Sequence, residues 1–267
     1  MPEGGECRRF AENLAHRVSG QTIQSIEILS GRYKENPPEG YEEFQASLPI
    51  KVVGTGVHGK FIYWILDSEF NIWSTLGMTG AWRAQPGKHS RVKFTLSNGD
   101  VYYDDMRNFG TLKFANNRHA LLNKLKTLGP DMLAEDIDEI EFIDIMRKHN
   151  KKNITKVMMN QSVIAGVGNY VKAESLYIAR ISPMRNIADI SDDELRRLCQ
   201  SIKLVLRESY KSGGATIQTY ANFNGEIGEY SQRFCVYNQK TDPDGNLVQK
   251  DKTPDGRTTH WVPKVQI

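Results

Sequence analysis

The apolar residues of this 267-residue chain change their period at Arg118, and that change limits the folds open to it more than any other feature. Ahead of it, Thr22–Leu29, Phe61–Leu66, Phe70–Leu76, Val92–Leu96 and Val101–Tyr103 are short runs rich in β-branched and aromatic residues. Turn signals such as Ser97-Asn98-Gly99 separate them, which predicts an antiparallel β-sandwich of two sheets. Beyond it, Arg118–Leu128, Ile140–His149, Ile154–Asn160, Tyr170–Ile178 and Asp192–Lys211 repeat apolar residues at helical spacing. Cys7, Phe10, Ala11, Leu14, Ala15 and Val18 do the same near the start, so a helix flanks the sandwich. After Gly213-Gly214 a loop leads to three strand candidates around Phe234–Tyr237, Asn246–Lys250 and Thr258–Val262. The fold class is α+β. We expect a sandwich domain over 1–130, an acidic hinge over 131–141, a helical domain over 142–232 and a terminal hairpin over 233–267.

Hydrophobic residues make up 39% and charged residues 25% of the chain, the balance of a soluble globular protein that can bury a core. No run approaches the ~18 apolar residues of a membrane span, and the first residues lack the regions of a signal peptide. Three scattered cysteines, Cys7, Cys199 and Cys235, argue for a reducing, intracellular setting without a disulfide framework. The net charge of +3 is unevenly placed: residues 1–144 carry −4 and residues 145–267 carry +7. A basic half suits nucleic-acid phosphates, although a chance imbalance of solvated charge accounts for it as well.

Two segments carry chemistry. Met1 precedes a small residue, so its removal by an aminopeptidase is expected, leaving Pro2 as a secondary amine beside the Glu3 carboxylate. An α-amino group titrates near pKa about 8, so part of it is an unprotonated nucleophile at neutral pH. Such an amine can attack a sugar carbon and form an iminium; an ordinary helix N-cap explains the same residues. The second segment is Asn160–Tyr170, where Gly166 and Gly168 precede Asn169 and a new helix. Exposed amides there are suited to a phosphate, and Asn169 can cap the helix or donate to that phosphate. A purely structural turn is the alternative.

Pro2-Glu3-Gly4 with Glu6, Gly59-Lys60, Leu76–Gly80, Asp105–Gly110, Gly166–Asn169 with Ala173–Leu176, Gly213–Ile217 and Gly256–Trp261 occur in one order along the chain. In that order the chain resembles the formamidopyrimidine-DNA glycosylase/endonuclease VIII family over nearly its whole length. The resemblance implies a helix–two-turns–helix motif and excision of oxidised bases from duplex DNA, followed by strand cleavage at the abasic site. Pro2 resembles the Schiff-base nucleophile, Glu3 its acid/base partner and Lys60 the β-hairpin lysine that contacts phosphate and assists the lyase step. Met78, Arg107 and Phe109 match the residues that fill the void left by a flipped nucleotide. His89, Gly168 and Asn169 match DNA contacts, and Glu6 and Glu174 supporting positions, while Lys151 and Lys152, charged and just ahead of the helical motif, are candidate contacts to the DNA backbone. Without the resemblance, Met78 and Phe109 read as core, Arg107 as an ion-pair partner, and Lys60, His89, Lys151 and Lys152 as solvated surface.

The chain also departs from the family. Most members end in a four-cysteine zinc hairpin, whereas Asn238–Lys252 has no cysteine and Val262 and Val265 stand where the last pair would be. The resemblance is therefore to a zincless-finger, endonuclease VIII-like member. Packing among Val236, Leu247, Val248, Trp261 and Val262 would replace the metal, and Arg257 would still enter the DNA; a decayed tail is the alternative. Gly5 stands where the family has proline. We expect no cofactor, no metal and no membrane, and a monomer whose partner is damaged duplex DNA. Oxidised pyrimidines and hydantoins are the expected substrates, released with β,δ-elimination. In its loop length Gly213–Tyr237 instead resembles the formamidopyrimidine-type branch, which implies 8-oxoguanine, and the pocket loop near Tyr220–Tyr230 decides between them. A non-catalytic DNA-binding protein is the other class considered.

Overall fold

The computed structural model describes residues 2–134, 137–215 and 230–267. Helix α1 spans Gly4–Val18, beginning ahead of the predicted Cys7. Its stripe of Cys7, Phe10, Ala11, Leu14 and Val18 is buried in the sandwich core, among Ile23, Val52 and Ile62. Strand β1 (Thr22–Ile28), a short helix α2 (Tyr41–Ala46), then β2 (Ile50–His58), β3 (Phe61–Leu66) and β4 (Phe70–Thr75) follow. After them come β5 (Gly80–Arg83), β6 (Ser90–Leu96), β7 (Gly99–Asp105) and β8 (Thr111–Asn116).

The strands pair in the order β5-β7-β6-β1-β2-β3-β4-β8. β1 meets β2 through Thr22↔Lys51 and Ile23↔Ile50, so the two four-stranded halves join at a narrow corner. They pack face to face. The Trp64 ring on β3 lies 5.1 Å from Trp82 on β5 and 5.4 Å from Phe94 on β6. This is the expected sandwich, with aromatic rings filling the space between its layers.

Three strands and α2 were not expected. β2 contains Gly54 and Gly56, which dilute a strand pattern. A Cβ on Gly56 would stand 2.4 Å from the Tyr63 ring opposite it in the β2–β3 ladder, so the glycine makes room for that ring. β5 and β8 are short strands flanking glycine-containing turns. α2 exists through tertiary packing: the Phe44 ring stacks 4.6 Å from Phe114 and meets Phe70 edge-on at 5.3 Å.

The chain divides into two compact units, one built on Glu6–Thr127, the other on Glu3–Gly5, Leu128–Ser212 and Glu229–Ile267. Helix α3 (Arg118–Lys126) ends the first sequence block. In the second unit Asp131 and Met132, at the start of the acidic stretch, are buried and pair with Ala165. Helices α4 (Glu139–Arg147), α5 (Ile154–Met158), α6 (Asn169–Ala179) and α7 (Asp192–Lys211) follow the predicted periodicity. Ser191 and Glu194 form a reciprocal capping box on α7, and Arg185 grips both oxygens of Glu194.

The C-terminal hairpin has two strands among the described residues, β9 (Gln249–Lys252) and β10 (Thr258–Trp261), where three were expected. Phe234–Tyr237 is not a strand, because the amides of Cys235, Val236 and Tyr237 all donate to the Glu174 carboxylate instead of to a neighbouring ladder. The expected packing set also changes. Val236 and Val262 bury against Ala173 of α6, with Val248 alongside. Leu247 is 75% exposed, and Trp261 is only half-buried, its Nε1 donating to Asp251 (2.7 Å).

Candidate active site and nucleic-acid interface

Glu3 is buried, and both of its carboxylate oxygens accept from the first turn of α6: Oε1 from the Tyr170 amide (2.9 Å) and Oε2 from the Val171 amide (3.1 Å). Helices leave such N-terminal amides without intrahelical acceptors, and their dipole favours a negative group. The phosphate expected at these two amides is therefore displaced by an internal carboxylate. The turn before them is shaped by Gln161, whose amide nitrogen donates to the Val167 carbonyl (3.0 Å) while its oxygen accepts from the Gly166 amide (3.1 Å). Gly166, at φ 97°, then accepts at its carbonyl from the Gly4 amide (2.9 Å). Pro2, next to Glu3 in the chain, is buried.

Asn169 does not cap α6; Gly168 holds that position without a side-chain bond. The Asn169 amide nitrogen reaches the hairpin instead and donates to the Thr258 carbonyl (3.0 Å). Arg257 is exposed in the adjoining turn. One helical turn further into α6, the buried Lys172 ammonium pairs with Asp255 at 2.7 Å. Burial pulls the Lys172 pKa down, and Asp255 opposes that shift. Burial also pushes the Glu174 carboxyl up, against the three amides that it accepts.

In the first unit Met78, Arg107 and Phe109 come together at the surface. Arg107 Nη1 donates to Met78 Sδ (3.2 Å), and the guanidinium carbon lies 4.8 Å from the centre of the Phe109 ring. Phe109 is 56% and Met78 42% exposed, so neither is a core residue. Their loops hang on buried Asp105. Its Oδ1 accepts from the Thr79 hydroxyl (2.6 Å) and the Arg107 amide (3.3 Å), and its Oδ2 from the Gly110 amide (2.7 Å). Lys60 lies in the β2–β3 turn and His89 in the turn before β6, both half-buried. Glu6 is buried and accepts from the Ala215 amide (2.6 Å), a supporting bond within this unit. Lys151 and Lys152 are exposed on the turn ahead of α5.

Comparison with known proteins gives this geometry a family. Models of the formamidopyrimidine-DNA glycosylase N-terminal, H2TH and C-terminal domains match residues 1–112, 128–221 and 226–267. The formamidopyrimidine-DNA glycosylase of Oceanobacillus iheyensis is 32% identical across 100% of this chain and 98% of its own. The Bacillus subtilis enzyme of that name is 31% identical across 100% and 99%. The chain belongs to the formamidopyrimidine-DNA glycosylase family. A structure of a Lactococcus lactis Fpg mutant in complex with Fapy-dG containing DNA has a TM-score of 0.87 at 30% identity, covering 99% of each chain. The MutM (Fpg) protein of Thermus thermophilus reaches 0.88 at 27%, covering 99% of this chain and 98% of its own. The chain is thus a DNA glycosylase of base excision repair, in a family of enzymes that combine glycosylase with AP lyase activity. Among the described residues no helix is long and apolar enough to cross a membrane.

The zinc hairpin of most family members does not fit these residues. Among the described residues no three His, Cys, Asp or Glu side chains form a ligand group. Burial and the Glu174 carboxylate push the Cys235 thiol up to about 11, away from the thiolate that zinc requires. His260 is buried with its ring 5.0 Å from that of Tyr237. Asp242 serves the hairpin as a hub: its Oδ1 accepts from the Asp244 (3.0 Å) and Asn246 (2.7 Å) amides, and its Oδ2 from the Tyr177 hydroxyl (3.2 Å).

Lys172, Asp255 and Tyr237 belong to these sites and were not picked out from the sequence, where Asp105 stood only as the first residue of a motif, without a role. Lys172 stands four residues before buried Leu176, at the spacing of a buried face, and that was the available signal. Burial raises the Tyr237 phenol, Asn169 lowers it, the Glu3 carboxylate raises it and Arg257 lowers it. The Tyr237 ring lies 6.3 Å from that of Tyr170 on α6 and 5.0 Å from that of His260 on β10. Met1 and the pocket loop near Tyr220–Tyr230, apart from Tyr230 itself, lie outside the described residues.

Proposed function

We propose that this chain is a bifunctional glycosylase/AP lyase whose nucleophile is Pro2 once Met1 has been removed. The Pro2 nitrogen attacks C1′ of the damaged nucleotide, the glycosidic bond breaks and the base departs with the electron pair. Glu3 moves the protons that ring opening and elimination require. The iminium then permits loss of the 3′ and the 5′ phosphate by successive eliminations, and water releases the sugar fragment. The observation that carries this reading is the anchoring of Glu3. Two amides hold its carboxylate one peptide bond from the nucleophile, so the acid/base group needs no reorganisation to act. Lys60, Asn169 and Arg257 contact phosphate, joined by His89, Lys151 and Lys152 along the backbone, while Gly168 leaves Glu3 its space. Met78, Arg107 and Phe109 enter the stack that the flipped nucleotide leaves. The protein works as a monomer without metal or cofactor.

The substrate we favour is an oxidised purine, formamidopyrimidine or 8-oxoguanine. The relatives' name and the Fapy-dG and 8-oxo-G DNA in neighbouring structures support it. The metal-free hairpin supports a second reading, the oxidised pyrimidines and hydantoins. Single-turnover excision from duplexes carrying Fapy-dG, 8-oxoguanine opposite cytosine, thymine glycol or a hydantoin separates the two. Faster release of the purine lesions supports the first reading, and faster release of thymine glycol and the hydantoin supports the second. A 3′-phosphate end among the products marks β,δ-elimination.

A further inference from the structure

Lys172 carries its amine into the interior of the second unit, against the Asp255 carboxylate. Its side chain is 0% exposed, and that of Asp255, its partner at 2.7 Å, is 3% exposed. A buried ion pair contributes little net stability compared with an apolar pair of similar volume, so holding a particular geometry is the better-attested reason for one. Here the geometry is that of the β9–β10 turn. Asp255 accepts from the Thr253 hydroxyl and from the Arg257 backbone amide. The Thr253 amide donates to the Arg257 carbonyl (2.9 Å), closing the turn, and the Thr253 hydroxyl meets that of Thr259 at 2.7 Å. Lys172 lies on α6 one turn after Asn169, which grips Thr258 on the far side of Arg257. Arg257 is thus held at its own backbone by Asp255, and at the next residue by Asn169.

We infer that the Lys172–Asp255 pair is the positioning device of this metal-free hairpin, fixing Arg257 over the first turn of α6 for contact with a DNA phosphate. Lys172 acts through Arg257 and does not touch DNA. The inference rests on the proposed reading of Arg257 as a phosphate contact.

The test is the salt dependence of binding to a duplex carrying one tetrahydrofuran abasic analogue. Removing one phosphate contact lowers the slope of log K against log salt by about 0.9. Arg257→Ala should lower it by that amount. Lys172→Met and Asp255→Asn should each lower it equally, with native circular dichroism, and the double variant Lys172→Met/Arg257→Ala should fall no further. A wild-type slope in Lys172→Met or Asp255→Asn, with the Arg257→Ala slope reduced, overturns the inference. So does a further drop in the double variant. If Arg257→Ala leaves the slope unchanged, the phosphate reading fails first and the inference with it. Should Lys172→Met fail to fold, Asp255→Asn carries the test, and failure of both to fold marks the pair as a structural brace and overturns its positioning role.

Discussion

The carboxyl carbon of Glu3 lies 2.2 Å from the point where a Cβ on residue 168 would stand, so Glu3 occupies the side-chain space of Gly168. The backbone of Gly168 is extended, at φ −128° and ψ −158°, a conformation open to any residue. Space, and not torsional freedom, therefore requires glycine here. Gly168→Ala should push Glu3 off the Tyr170 and Val171 amides. A displacement of about 1 Å is worth roughly 100-fold in rate. We expect base excision to fall by about that factor in single-turnover assays while circular dichroism stays native. Unchanged excision would contradict the anchoring role.

Removal of the surface wedge should depend on how well the lesion is stacked. Flipping a paired base costs roughly a few kcal/mol, least at a mismatch. Phe109→Ala and Arg107→Ala should therefore lower kcat/KM about 10- to 100-fold on a fully paired duplex. The loss should be smaller when the lesion faces a mismatched base. Equal losses on both duplexes would show that these residues do not act on the stack.

The C-terminal hairpin should be indifferent to chelators. Its apolar cluster, the Asp242 hub and the Glu174 bonds to residues 235–237 hold it without a ligand set. Prolonged treatment with a strong zinc chelator should leave Tm and excision rate at their untreated values. A fall in both, restored by added zinc, would refute this assembly.

Acid should weaken the Arg185–Glu194 contact only well below the ordinary carboxylate range. The Arg185 guanidinium lowers the Glu194 carboxyl from 4.5 to about 2, with help from the Ser191 amide and hydroxyl against opposing burial. A depressed folded-state pKa adds stability above the unfolded value, and that stability is lost as pH falls through the folded value. Glu194→Gln keeps the capping box but removes the charge that pairs with Arg185, so it should destabilise the protein by about 1 kcal/mol at pH 7, the upper scale of a partly exposed ion pair. The gap between variant and wild type should shrink as the pH drops from 4.5 toward 2. Denaturant melts at a series of pH values measure it, and a gap independent of pH would place the stabilisation elsewhere.

Local pattern carried α1, α3 to α7 and five of the eight sandwich strands. Asp192–Lys211 was legible to the residue because its apolar face repeats at helical spacing within one helix. β2 was not, because Gly56 answers to Tyr63 on the neighbouring strand and not to any preference of its own. Phe234–Tyr237 misled for a related reason: an apolar run resembles a strand, but the Glu174 carboxylate, 61 residues away, takes its amides. The motifs located Glu3, Asn169 and Arg107 as residues of interest without their partners. Which carboxylate meets the α6 amides is decided by packing between positions 167 and 168 residues apart. No window along the chain spans that.

In the proposed reaction Pro2 bonds covalently to the sugar while Glu3 stands anchored beside it. Borohydride reduction of the protein mixed with a duplex containing an abasic site, followed by peptide mapping of the adduct, tests it most directly. We predict a cross-link on an N-terminal peptide that begins at Pro2, lacks Met1 and is lost in Pro2→Gly. An adduct on any other residue, or one on protein that retains Met1, would rule out Pro2 as the nucleophile.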